Sequence, residues 1–193
     1  NTTNVQQTAS YNVTASTNGC SESTFTVLVF VNPKPTVSAT PLTQSVCSGN
    51  SIVPITLSNP NAISGSISYT WTRDNTTNVT GIGTTGSGST ISGSLTNSTN
   101  SPQTTVFFIT VTTDDNCSSN PFTVSVVVNP TPTLLALPAT QTICSGDAIT
   151  GITLSNPNNV SGITYSWTGN NANVTGIPNT NGNTISGSLT NTT

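Results

Sequence analysis

The sequence repeats itself at the scale of a whole domain. Cys47-Ser48-Gly49-Asn50 returns as Cys144-Ser145-Gly146-Asp147, and Tyr69-Thr70-Trp71-Thr72 as Tyr165-Ser166-Trp167-Thr168. Residues 55–61 return as 152–158, and 90–97 as 184–191. The spacing is about 96 residues, well above the roughly 20–50 of a solenoid unit, so the repeated object is a domain. The match also runs backwards: residues 1–4 align with 97–100, and Phe25 to Pro33 with Phe122 to Pro130. Residues 1–32 are therefore expected to be the last two strands of one repeat, 33–130 a complete repeat, and 131–193 the N-terminal part of a third. Such phasing suits a segment of a longer array, or a subunit completed by its neighbour.

Strand signals dominate within the repeat. No 3.6-residue apolar period occurs, and the abundant Thr, Ser, Asn and Gly are poor helix formers. In the complete repeat, residues 36–40 read as an edge strand and 47–50 as the turn after it. Residues 52–57 follow as a second strand, with Ile55 and Leu57 on one face, and Pro54 there favours an edge or a bulge. Residues 67–72 put Ile67, Tyr69 and Trp71 on a single face. Residues 74–89 form a loop with a short strand, and 90–96 turn Ile91 and Leu95 inward. A final hairpin of 105–112 and 122–128 aligns Phe107, Ile109 and Val111 with Phe122, Val124, Val126 and Val128. In the first repeat Tyr11, Val13 and Ala15 take the same inward places. Seven short strands with a Trp on the third predict an all-β fold of tandem immunoglobulin-like sandwich repeats. Trp71 and Trp167 are its core markers.

Charge is scarce enough to exclude functions. Lys34 and Arg73 are the only bases; Glu22, Asp74, Asp114, Asp115 and Asp147 are the only acids, giving a net charge of −3. His is absent, so general acid–base catalysis, an activated Ser or Thr nucleophile and a zinc site all lack their usual partner. The carboxylates are too scattered for a calcium cage. Asp114-Asp115 reads as a solvated hairpin tip, matched by Asn18-Gly19 in the first repeat. Two bases cannot neutralise a nucleic-acid backbone, and no apolar run reaches the ~18 residues of a membrane span. No catalytic, cofactor-binding or metal residue is expected, and no enzyme.

Four cysteines remain: Cys20 and Cys117 late in a repeat, Cys47 and Cys144 early in one. No C-x-x-C spacing occurs, and structural disulfides in an oxidising compartment are the expectation. Cys47 follows the first strand, at the end facing the next repeat, whereas Cys117 lies in the last hairpin, at the opposite end. Disulfide Cα atoms lie within about 7 Å, while a strand of eight residues spans roughly 26 Å. Cys47 then pairs with the hairpin cysteine of the following repeat, or with Cys117 if the first strand is misplaced. Both pairings stay open on the sequence.

The linkers Asn32-Pro33-Lys34-Pro35 and Asn129-Pro130-Thr131-Pro132 leave little slack. Alternating prolines favour extended backbone, so the joints read as semi-rigid spacers and the array as a rod.

The motifs C-S-G-[ND], Y-x-W-T, T-I-S-G-S-L-T-N, N-x-C-S and P-F-T-V-x-V-x-V-N-P-x-P-T together resemble the PKD-like, immunoglobulin-like repeats of giant Bacteroidota surface proteins. Those include the gliding-motility adhesins exported by the type IX secretion system. The resemblance covers essentially the whole chain. It implies export, surface anchorage and a part in adhesion or gliding, with ligand-binding and sorting modules elsewhere in the parent.

The functional expectation is a structural and adhesive segment, the shaft of an extracellular bacterial surface filament or adhesin. Its partners are neighbouring repeats of the same or an identical chain, with surface polysaccharide or a substratum contacted through other regions. The alternative is a pilin-like subunit in which residues 1–32 of one copy complete residues 131–193 of another by strand complementation.

Overall fold

A computed structural model describes residues 1–170 and 172–193. The chain divides into two compact units, Asn1–Asn97 with Gln103–Val128, and Ser98–Pro102 with Asn129–Thr193. All regular structure among the described residues is strand, turn or bridge. Immunoglobulin-like sandwich repeats are thus what the chain builds.

The first unit begins with an antiparallel hairpin of β1 (Gln7–Val13) and β4 (Phe25–Val31), extended by the short pair β2 (Ser16–Thr17) and β3 (Cys20–Ser21). Its tip is Asn18-Gly19, both at positive φ, the pair of residues that suits a two-residue hairpin turn.

The complete repeat follows. Its strands are β5 (Ser38–Thr40), β6 (Thr43–Cys47), β7 (Ile55–Ser58), β8 (Ile67–Arg73), β9 (Val79–Gly81), β10 (Thr85–Ser87), β11 (Thr90–Ile91), β12 (Leu95–Asn97), β13 (Gln103–Thr113) and β14 (Phe122–Asn129). One layer is a five-stranded sheet in the order β10-β8-β13-β14-β6. The other combines β11-β7-β5 with the pair β12-β9. Alternation along the strands decides which residues meet between the layers. From the five-stranded sheet come Tyr69, Trp71, Phe107, Ile109, Val111, Val124, Val126 and Val128, with Ala39, Ile55, Leu57, Val79, Ile91 and Leu95 opposite.

Trp71 and Phe107 meet edge to face, their ring centroids 5.5 Å apart and their planes at 72°. Gly86, paired with Trp71 across the β8–β10 ladder, is what admits the indole: a Cβ there would overlap the six-membered ring. Each buried aromatic or aliphatic side chain contributes about 1.5–3 kcal/mol, so the space between the two layers is the repeat's main site of hydrophobic stabilisation.

Several sequence expectations need correction. Cys47 ends a strand instead of opening a turn: residues 43–47 form β6, placed beside β14, and the chain changes layers between β5 and β6 at the cis peptide bond Thr40–Pro41. The polar run Thr43-Gln44-Ser45 hides this strand, because it lies at a sheet edge and buries little. The second strand is shorter than residues 52–57, since Pro54 cannot donate to a ladder and β7 starts after it. The region 74–89 holds two short strands, β9 and β10. Residues 90–96 split into β11 and β12, although Ile91 and Leu95 are both buried as expected. Phe122 is only partly buried.

The inward positions expected for the first hairpin meet no second layer among the described residues. Tyr11 and Val13 are 58% and 52% exposed, and Ala15 is exposed as well. The hairpin is a two-stranded sheet with no second layer over its face among the described residues. Its register nonetheless reproduces the last hairpin of the complete repeat: Gln7 opposes Val31 as Gln103 opposes Val128, and Tyr11 opposes Val27 as Phe107 opposes Val124.

The second unit repeats the early strands in shorter form. They are β15 (Leu135–Leu137), β16 (Ile152–Ser155), β17 (Ser166–Trp167), β18 (Val174–Thr175), β19 (Thr180–Asn181), β20 (Thr184–Ile185) and β21 (Thr190–Asn191). The sheet β15-β16-β20 matches β5-β7-β11, and β18-β21 matches β9-β12. Leu137–Pro138 is cis, as Thr40–Pro41 is. Residues 140–144, the counterpart of β6, form no strand. Trp167 is half-buried, whereas Trp71 is buried against Phe107.

Candidate functional site at the poles of the repeat

The chemistry-bearing side chains of this charge-poor chain gather at the two ends of the sandwich and in the linker. One pole is fixed by Ser48 and Asn97. The Ser48 hydroxyl accepts a hydrogen bond from the Asn97 amide at 2.9 Å, and the Asn97 side chain donates to the Val128 carbonyl at 2.8 Å. The Gly49 amide donates to the Leu95 carbonyl, with Gly49 at φ 88°. Cys47 is exposed beside this knot. The second unit repeats it: the Asn191 amide donates to the Ser145 hydroxyl at 2.9 Å and the Gly146 amide to the Leu189 carbonyl, and Cys144 is exposed beside them.

The other pole is the β13–β14 hairpin tip. Asp114, Asp115 and Asn116 form the turn, with Asn116 at φ 61° and its amide donating to the Thr113 carbonyl. The turn is one residue longer than Asn18-Gly19, which explains why the repeat spacing grows by one across the tip. Both aspartates are exposed, and Asp114 Oδ2 accepts the Ser66 amide at 3.3 Å. Cys117, half-buried, follows directly, its amide held by Thr113 Oγ1 at 3.2 Å.

Residues that sequence reasoning passed over hold the linker. Asn61 Oδ1 accepts the Thr36 amide at 3.1 Å, while Asn61 Nδ2 donates to the Lys34 carbonyl at 3.0 Å. Asn158 does the same for the Thr133 amide and the Thr131 carbonyl, both at 3.0 Å. Lys34 Nζ also donates to Asn120 Oδ1 at 2.8 Å. A second recurring clamp joins strand edges: Gln44 exchanges two hydrogen bonds with the Val53 backbone, and Gln141 exchanges two with Thr150. The signal was present, since all four residues recur at the repeat spacing. Amide side chains in an Asn- and Gln-containing chain simply do not advertise their bonds.

Arg73 is the one buried cation among the described residues. Its guanidinium donates to the Val79 carbonyl at 3.0 Å and twice to the Ile82 carbonyl, at 3.2 and 3.0 Å. Burial pushes its pKa below the ordinary guanidinium range, opposed by the nearby Asp74 carboxylate. These bonds tie β9 and the following Ile82 to β8. Arg73 is therefore a structural pin, and its repeat counterpart is Gly169.

All four cysteines are free thiols here. Cys47 and Cys117 lie at opposite poles: Gln103, at one end of β13, opposes Val128 beside the Cys47 knot, and Thr113, at the other end, bonds Cys117. The eleven residues of β13 span roughly 35 Å, against about 7 Å for a disulfide. The within-repeat pairing is excluded by this distance.

Layered β-sandwiches, a recurring pinned linker and matching poles define a tandem immunoglobulin-like repeat protein. The PKD-like domain family matches residues 44–132 and 141–193, and the chain belongs to that family. Among solved structures, the extracellular cadherin domains 1–5 of protocadherin gamma B2 align over 97% of this chain, at 12% identity and a TM-score of 0.34. The chain spans 38% of the length of that structure. A comparison with curated proteins found no match.

Proposed function

We propose that the chain is a structural spacer, a run of PKD-like repeats in the shaft of an extracellular adhesin or surface filament. The observation that carries the reading is the linker clamp. Asn61 and Asn158 hold equivalent linker carbonyls and amides in two successive repeats, so each linker is anchored to the repeat that follows it by the same side chain. A ligand-binding domain concentrates unlike residues at one place; here the polar side chains that do something recur with the repeat. The near absence of charge also suits a spacer, because screening by salt acts on charges alone. The finer reading is a bacterial surface filament of the gliding-motility adhesin kind, exported by type IX secretion and partnered by neighbouring repeats. Ligand contact falls to other regions of the parent.

Stretching single molecules of the parent under reducing conditions tests the mechanical claim. Each repeat is expected to yield as one event of about 300 Å, the contour of about 96 residues at roughly 3.5 Å each less the folded length. Smooth extension without steps would sink it. Protease treatment of intact producing cells tests the placement: repeats protected until lysis would contradict an extracellular shaft. The denatured mass separates a covalent array, many times the mass of this chain, from a strand-complemented subunit near its mass.

A further inference from the structure

We infer that the joints of the array are stapled by disulfides, each linking the C-S-G cysteine at one pole of a repeat to the hairpin-tip cysteine of the repeat that follows. The inference rests on the array reading and deepens it. Three observations carry it. First, the complete repeat places a cysteine at each pole, about 35 Å apart along β13, so neither Cys47 nor Cys117 can find its partner within that repeat. Second, the positions recur: Cys144 stands beside the Ser145–Asn191 knot as Cys47 stands beside Ser48–Asn97, and Cys20 follows its hairpin tip as Cys117 follows the Asp114–Asn116 turn.

Third, the first unit contains a joint, and that joint meets the correct pole. The incoming linker residues Asn32 and Pro33 line one cleft with Thr113 and Asp115 of the hairpin tip, and Gln6 of the preceding hairpin lines it too. Lys34 and Pro35 line a second cleft with Ser119 and Asn120, just beyond Cys117. Val31 marks the pole of the preceding repeat where its own C-S-G cysteine belongs, since Val128 marks the Cys47 pole in the complete repeat. From Val31 to Pro35 the chain can reach no more than roughly 14 Å, and Asn61 holds the linker in place. Cys117 is therefore the tip half of a staple to the preceding repeat, and Cys20 has the same role one repeat earlier. Cys47 and Cys144 are the other halves.

Formation is a thiol–disulfide exchange. A small or protein disulfide, R–S–S–R, accepts two electrons and two protons from the two thiols and leaves as two R–SH molecules, while one S–S bond forms across the joint.

The test is disulfide mapping of the parent polypeptide from its source, with free thiols alkylated before digestion without reductant. Cys47 and Cys117 lie in peptides of different composition, so a bond between them is recognisable. The expected result joins each hairpin-tip cysteine peptide to a C-S-G peptide of the preceding repeat, with near-zero alkylation before reduction and one alkyl group per cysteine after it. Fully alkylated thiols, tip-to-tip links, or a Cys47–Cys117 link would overturn the proposal. Cys117→Ser in the parent should release one alkylatable thiol, on the C-S-G cysteine of the preceding repeat, and leave the circular dichroism spectrum unchanged. An unstapled array would still stretch in single-repeat steps, so failure here and failure of the spacer reading remain distinguishable.

Discussion

Phe107 shows how much of the fold hangs on single side chains. It is fully buried, meets Trp71 edge to face, and opposes Val124 on the next strand. Truncation would leave a cavity between two layers that cannot close, because each is held by its own ladder. Phe107→Ala should cost residues 33–130 about 3–5 kcal/mol in denaturant unfolding. Tyr69 gives the repeat a pH response. Burial raises its phenol above the ordinary 10.0, so in the window between the two values the unfolded chain has lost a proton that the fold retains. Stability should fall as pH rises through 10 and level off above the raised value. Arg73 acts with the opposite sign, because its lowered value lets the fold release a proton before the unfolded chain does. Both arms of a comparison with Tyr69→Phe contain Arg73, so the alkaline loss present in the parent and absent in the variant isolates the phenol.

At the scale of elements, the strands that bury apolar residues were legible and the edge strands were not. Tyr69 and Trp71 on one face, and Phe107, Ile109 and Val111 opposite Val124, Val126 and Val128, follow from period-two alternation that any sheet must obey. β6 escaped because it is nearly all polar, and its place is fixed by contacts elsewhere. The Ser125 amide donates to the Leu42 carbonyl, and Gln44 holds Val53. The two poles were legible, as they follow from strand direction alone. The clamps on the linker were not, because nothing in a single Asn of an Asn-rich sequence says that both ends of its amide are engaged. Gln44→Ala should cost about 1 kcal/mol, the net worth of its hydrogen bonds once water replaces them, and should speed amide exchange at Val53 while the core stays protected. Loss of the whole fold in that variant would mean that β6 depends on the clamp far more than its exposure implies.

At the scale of the molecule, the account makes one repeat the unit of folding. Residues 33–130 contain both layers of the sandwich, every member of the principal core and both poles. Among the described residues the hairpin of residues 7–31 has no second layer, and its Tyr11 and Val13 are exposed. A tandem array of such repeats gains length by adding units that each fold from their own residues, each linker clamped to the repeat that follows it. The most direct measurement is therefore the thermal and denaturant unfolding of residues 33–130 produced alone, followed by amide exchange. The account predicts one cooperative transition, with the amides of Phe107, Ile109, Val124 and Val126 opening only in global unfolding. A chain that melts without cooperativity, or that folds only with residues 1–32 or 131–193 attached, would contradict it.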